Sequence, residues 1–213
     1  MRQMLPARIS IAATQFQIGI AVRHAICHKI SIYHAPLSIF ITHRFIMVGA
    51  FGFMFAIEKT KHSAAGVPVL LAFTFFMGLM LSRLIAMVLG FSNGSQLIMT
   101  AFAGTAGVFF VMASLATVIK RDLSGMGKWL FVGAMVLMVG AIINVFVGSS
   151  AGMMAISMLA IGIFSAYMLY DIKQIIDGGE TNYISATLAL YLDVFNVFQS
   201  LLALLGIMGG ERD

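Results

Sequence analysis

The sequence predicts an all-α polytopic membrane protein, a bundle of transmembrane helices. Three observations lead there. The chain of 213 residues is 61% hydrophobic and only 10% charged, whereas soluble domains carry roughly a quarter charged residues. Its mean hydropathy is +1.00. Several uncharged runs reach the roughly 20 residues that cross a bilayer core, and 21 Gly with 17 Met suit helices that pack closely in lipid.

The clearest spans lie in the middle of the chain. Gln96–Ile119 is uncharged and long enough to cross with some tilt. The basic loop "KRDLSGMGK" follows, then Trp129–Val147, with Trp129 placed where interfacial aromatics sit. The turn "GSSAG" leads into a third span, Met153–Tyr170. Before these, Ala64–Ser82 is apolar, but Arg83 separates it from Leu84–Phe91. Phe45–Ile57 is short unless extended back through 37–42 across His43 and Arg44. Tyr183–Gly206 closes the set, giving six candidate helices.

Loop charge orients them. The loops around Glu58–Lys61 and Lys120–Lys128 carry Lys and Arg and belong in the cytoplasm, and Asp171–Asn182 falls on the same side. The uncharged turns 91–95 and 148–152 face outward. Residues 1–44 form a separate, atypical basic segment with four of the five histidines and no acidic residue. Its best uncharged run, Ile9–Val22, is short for a span, so a disordered arm, an interfacial helix or a mis-framed gene start are the readings of that segment. The domain proper is 45–213.

Several chemistries drop out. The net charge of +5 reflects cytoplasmic loops rather than nucleic-acid binding, because no basic cluster alternates with aromatics. Single Cys27 excludes an intramolecular disulfide and a Cys-rich metal site. "GFSNG" matches a hydrolase elbow, but no histidine follows His62 and the stretch is a short inter-helix turn. His24 and His28 are four apart yet lack carboxylate support for a metal. "DGGE" is a helix stop rather than a phosphate loop. No enzyme activity and no cofactor are expected.

The acids are more informative. Asp193 lies ten residues into its span, about 15 Å at ~1.5 Å per residue and so near the midplane. Steps of three and four place Ser185, Ala189, Asp193, Asn196 and Ser200 on one small or polar face, with Leu188, Leu192, Val194, Phe195 and Phe198 elsewhere around the helix. A polar stripe on a spanning helix points to the bundle interior or an aqueous path. Asp171 closes the preceding span, nominally at the membrane edge, on a helix that should run antiparallel to the last one. Two carboxyls meeting in a poorly hydrated site share a proton and can sense pH, or supply oxygen to a hard cation such as Ca²⁺. The alternative is a protonated Asp193 that only locks helices together. Arg83, in an apolar stretch, either supports this site or snorkels to the interface.

"YMLYDIKQIIDGG" followed by "ETNYISATLALYLDVFNVFQSLLALLG" resembles the C-terminal signature of the Bax inhibitor-1 family. "FTFFMGLMLS" and "VIKRDLSGMGKWLF" resemble its earlier segments, so the likeness covers about 45–213. "GGETNYISATLALYL" is similar to the bacterial branch that includes a modulator of the membrane-bound AAA protease FtsH. The resemblance implies seven helices with the last at the centre, so six to seven are expected. It implies a multi-pass protein of the bacterial inner membrane, and a pH-sensitive Ca²⁺ leak channel gated by an aspartate pair that falls on Asp171 and Asp193. The other implied role is a non-conducting regulator that binds and restrains such a protease.

Overall fold

The computed structural model describes residues 49–209, and every regular element among them is helical. The helices are α1 (49–60 within the described residues), α2 (Gly66–Leu89), α3 (Gly94–Val118), α4 (Met126–Val147), α5 (Ser150–Ile176) and α6 (Tyr183–Gly209). α2 to α6 are each long and apolar enough to cross a membrane. The basic segment 1–44, its His24/His28 pair and the start of the first candidate span lie outside the described residues.

Two expected boundaries move. α2 continues through Arg83 to Leu89 without a break, because a long, straight side chain costs a helix little. Its proline, Pro68, sits in the first turn, where no intrahelical donor is lost. α5 does not end at Asp171 but runs to Ile176. Lys173 donates to Asp177 one turn on at 2.8 Å, and the helix stops at Gly178, whose φ of 74° is left-handed. The carbonyl of Gln174 accepts from the Gly179 N–H at 2.8 Å, which closes the last turn.

The turns also explain the short connections. Ser149 caps α5, accepting from Gly152 N–H at 3.1 Å. Between α2 and α3, a Cβ on Gly94 would fall 2.1 Å from the Val88 carbonyl oxygen, so only glycine lets the chain turn that tightly.

Side-chain ties sort the loops into two ends. Asn182 Nδ2 donates to the Lys61 carbonyl at 2.7 Å, while Asn182 Oδ1 accepts from Ser185 N–H at 3.0 Å and starts α6. Asp122, in the α3–α4 loop, interacts electrostatically with Lys173. The three charged loops therefore share one end. At the other, Asn93 Nδ2 donates to the Gly209 carbonyl at 2.6 Å, so the uncharged α2–α3 turn meets the far end of α6.

α6 is the core of the bundle. In its most apolar 18-residue window 61% of residues are buried, against 17–39% in the other spans. α5 packs along it most extensively, α3 packs on both, and α4 lies chiefly on α5. Phe73, Phe164, Met153 and Met168 are enclosed around it, and its own Leu202 is enclosed with them. Phe73 meets Tyr191 edge-on at 6.2 Å, and Tyr191 meets Phe195 at 5.9 Å.

Candidate functional site

The polar stripe of α6 is buried throughout. Asp193 is 0% exposed, Asn196 1% and Ser200 0%, and Ser185 and Ala189 are enclosed with them. Burial does not distinguish the stripe from the rest of the helix, since Leu188, Leu192 and Phe195 are buried too. A helix enclosed on nearly every side sits inside the bundle. The polar face is thus set apart by what it meets rather than by being hidden.

It meets α5. The buried residues Met153, Ser157, Ala160, Phe164 and Tyr167 recur at steps of three and four on that helix, and Asp171 continues the series half-buried. Tyr167 interacts electrostatically with Asp193 first and with Asp171 second. One buried hydroxyl therefore lies in the field of both acids that the sequence singles out. Because α5 extends to Ile176, Asp171 lies five residues inside its helix, about 7.5 Å from the end at ~1.5 Å per residue, and not at its edge.

The surroundings are polar and incompletely paired. Asn196 Nδ2 donates to the Leu192 carbonyl at 2.9 Å. Among the described residues, Asn196 Oδ1, Tyr167 Oη, Ser157 Oγ and Ser200 Oγ are buried without a hydrogen-bond partner. Buried polar atoms ordinarily find protein or water partners, because leaving one unmet costs about 1–3 kcal/mol. Tyr167 Oη and Asn196 Oδ1 lie within about a turn of the depth of Asp193, and Ser157 and Ser200 carry the polar interface on toward the uncharged end. Among the described residues, no three His, Cys, Asp or Glu side chains come together as a metal cluster.

Arg83 does not join this site. The buried stripe of α2 is Leu70, Phe73, Met77, Leu84 and Val88. Arg83 falls off that stripe, exposed on the outward flank with Phe75, Leu79 and Ala86. Six residues from the end of α2, about 9 Å at ~1.5 Å per residue, its side chain can reach the interface instead. Sequence reasoning also missed two residues that the structure adds. Tyr167 is four residues before Asp171, and Ser157 lies on the same face ten before Tyr167. Applying to α5 the periodicity used on α6 would have found both.

Comparison with known proteins fits this architecture. The family model described as inhibitor of apoptosis-promoting Bax1 matches residues 7–210, so the match also runs through most of the basic N-terminal segment. The chain is 38% identical to the Escherichia coli K12 protein named modulator of FtsH protease YccA, over 75% of this chain and 73% of that one. It is 37% identical to a Vibrio cholerae protein named as an uncharacterized membrane protein, over 78% and 75% of the two chains. An uncharacterized Neisseria meningitidis protein is 36% identical over 76% and 71%. With five helices long and apolar enough to span a membrane among the described residues, a buried acid on the central one, and a family match across nearly all its length, the chain belongs to the Bax inhibitor-1 family of multi-pass membrane proteins.

Proposed function

We propose that this protein is a non-catalytic regulator in the bacterial inner membrane that binds and restrains a membrane-bound AAA protease. One observation carries this reading: 38% identity, over three-quarters of each chain, to a relative named as modulator of FtsH protease. A second relative named as an inner membrane protein supports the location. The bundle's surfaces suit the role. Lipid-facing apolar residues cover α3 and α4, and the charged loops gather at one end, which the positive-inside tendency assigns to the cytoplasm. Affinity purification of the full chain from its own membranes, followed by reconstitution of that protease with a membrane substrate, tests the proposal. The expected result is co-purification of the protease and slower degradation when the chain is present. No association and an unchanged degradation rate would overturn it.

A second reading is favoured by a specific residue. Asp193 is a fully enclosed carboxyl on the central helix, and both it and Asp171 interact electrostatically with Tyr167. In this reading the two acids share a proton, and the protein is a pH-gated cation leak. Ca²⁺ binds through oxygen, and Asn196 Oδ1 and Ser200 Oγ are further oxygens on the same stripe as Asp193. Protonation at low pH changes what the acids can accept from their neighbours and so changes the path. Ca²⁺ flux into vesicles holding the purified chain is the measurement. Asp193→Asn should flatten the pH dependence, and an unaltered profile would remove the acids from the gate.

A further inference from the structure

α2 and α3 leave their short turn and part around a cavity of about 610 Å³. Leu81 and Ile85 of α2 and Phe102 and Phe109 of α3 wall it, and Tyr191 and Val194 of α6 form its floor. Gly78 on α2 and Ala106 on α3 also line it, and each lies twelve residues into a span of 24 or 25. The cavity is therefore at mid-membrane depth, and Phe102 and Phe110 on its rim are 65% and 68% exposed. It is a groove open to the side.

Its chemistry is hydrocarbon. Two lining residues carry hydroxyls, and both turn them away. Thr105 Oγ1 donates to the Ala101 carbonyl at 2.8 Å, and Tyr191 Oη points to the Thr74 carbonyl at 3.5 Å. A polar or charged ligand would be desolvated there without compensation. Phe102, Phe109 and Phe110 of α3 with Phe195 and Phe198 of α6 crowd the groove's walls, an uneven apolar surface that a flexible hydrocarbon chain can follow. On α2 the lining residue Gly78 is flanked by exposed Leu79 and, one turn back, exposed Phe75, so the groove opens beside apolar surface of the kind that faces a bilayer.

We propose that this groove seats one acyl chain of a bilayer phospholipid, packed directly on the central helix. The chain rests on Val194, the residue after Asp193, so lipid presses on the same turn of α6 that carries the buried acid. The site needs neither the protease nor the leak reading to hold.

Photolabelling tests it. The full chain is placed in vesicles of phosphatidylethanolamine and phosphatidylglycerol containing a phosphatidylcholine with a mid-chain diazirine, and adducts are mapped by mass spectrometry. The groove residues Phe102, Ala106, Phe109, Tyr191 and Val194 should label several-fold more than Val136 and Val139, which are exposed on α4. Gly78→Phe, where an added Cβ meets nothing within 4 Å, should fill the groove and bring labelling down to the α4 level. Gly52→Phe, equally open on α1, should leave it unchanged. Groove labelling no higher than that of α4 overturns the proposal. So does an Ala106→Cys thiol that stays protected from a membrane-soluble maleimide after lipid is exchanged for detergent, since protein would then fill the space. That thiol measurement stands even if Gly78→Phe fails to fold.

Discussion

The apolar 18-residue windows of α3 and α6 have the same mean hydropathy, 1.8, and the helices have nearly the same length, 25 and 27 residues. Yet 17% of the apolar window of α3 is buried against 61% for α6. The difference lies in which polar residues each helix carries. On α3 they are mainly hydroxyls that bond to the helix's own carbonyls: Thr100 donates to Gln96 at 2.8 Å, Ser114 to Phe110 at 2.7 Å and Thr117 to Ser114 at 2.7 Å. Such a helix satisfies itself and can face lipid. α6 carries Asp193, Asn196 and Gln199, whose groups one backbone carbonyl cannot satisfy. Lipid offers no partner, so these residues turn inward and take the helix with them.

The strongest way to break that comparison is to put a cation on α6. Asp193→Lys puts an ammonium at a fully enclosed site, and charge at the centre of a spanning helix costs about 3 kcal/mol or more. Thermal unfolding in detergent should show loss of the folded monomer, and a wild-type transition would refute the enclosed position of α6. A matched pair of alanines sharpens the contrast at smaller scale. Ala203 on α6 is 0% exposed, whereas Ala103 on α3 is exposed. Ala203→Leu should destabilise by about 1–3 kcal/mol through overpacking, and Ala103→Leu by less than about 0.5 kcal/mol. Equal effects would mean that α6 is not central.

The smallest expected effect lies just past α3, in water. Asp122 accepts from the Ser124 N–H at 2.8 Å and from Ser124 Oγ–H at 2.9 Å. These bonds hold its carboxyl below the usual range, the backbone bond most. A depressed folded-state pKa stabilises the loop above the ordinary carboxylate pKa, and that contribution disappears as pH falls through the folded value. Ser124→Ala should move the Asp122 titration, followed by NMR, a little toward the ordinary value, with no change in the spans. A large change in global stability would show that this loop is not the solvent-screened element that it resembles.

The sequence by itself determined the spans and the loops between them, because uncharged length and loop charge are local quantities. It also determined the polar stripe of α6, since helical spacing alone puts Ser185, Asp193, Asn196 and Ser200 on one face. The tertiary structure decided what local pattern cannot hold. The end of α5 depended on a lysine paired one turn ahead and a left-handed glycine, which moved Asp171 inside the helix. The role of Arg83 depended on which face of α2 packs inward. Tyr167 became part of the site only when α5 lay against α6. The groove on α6 exists because α2 and α3 part, and no single helix encodes the space between two others.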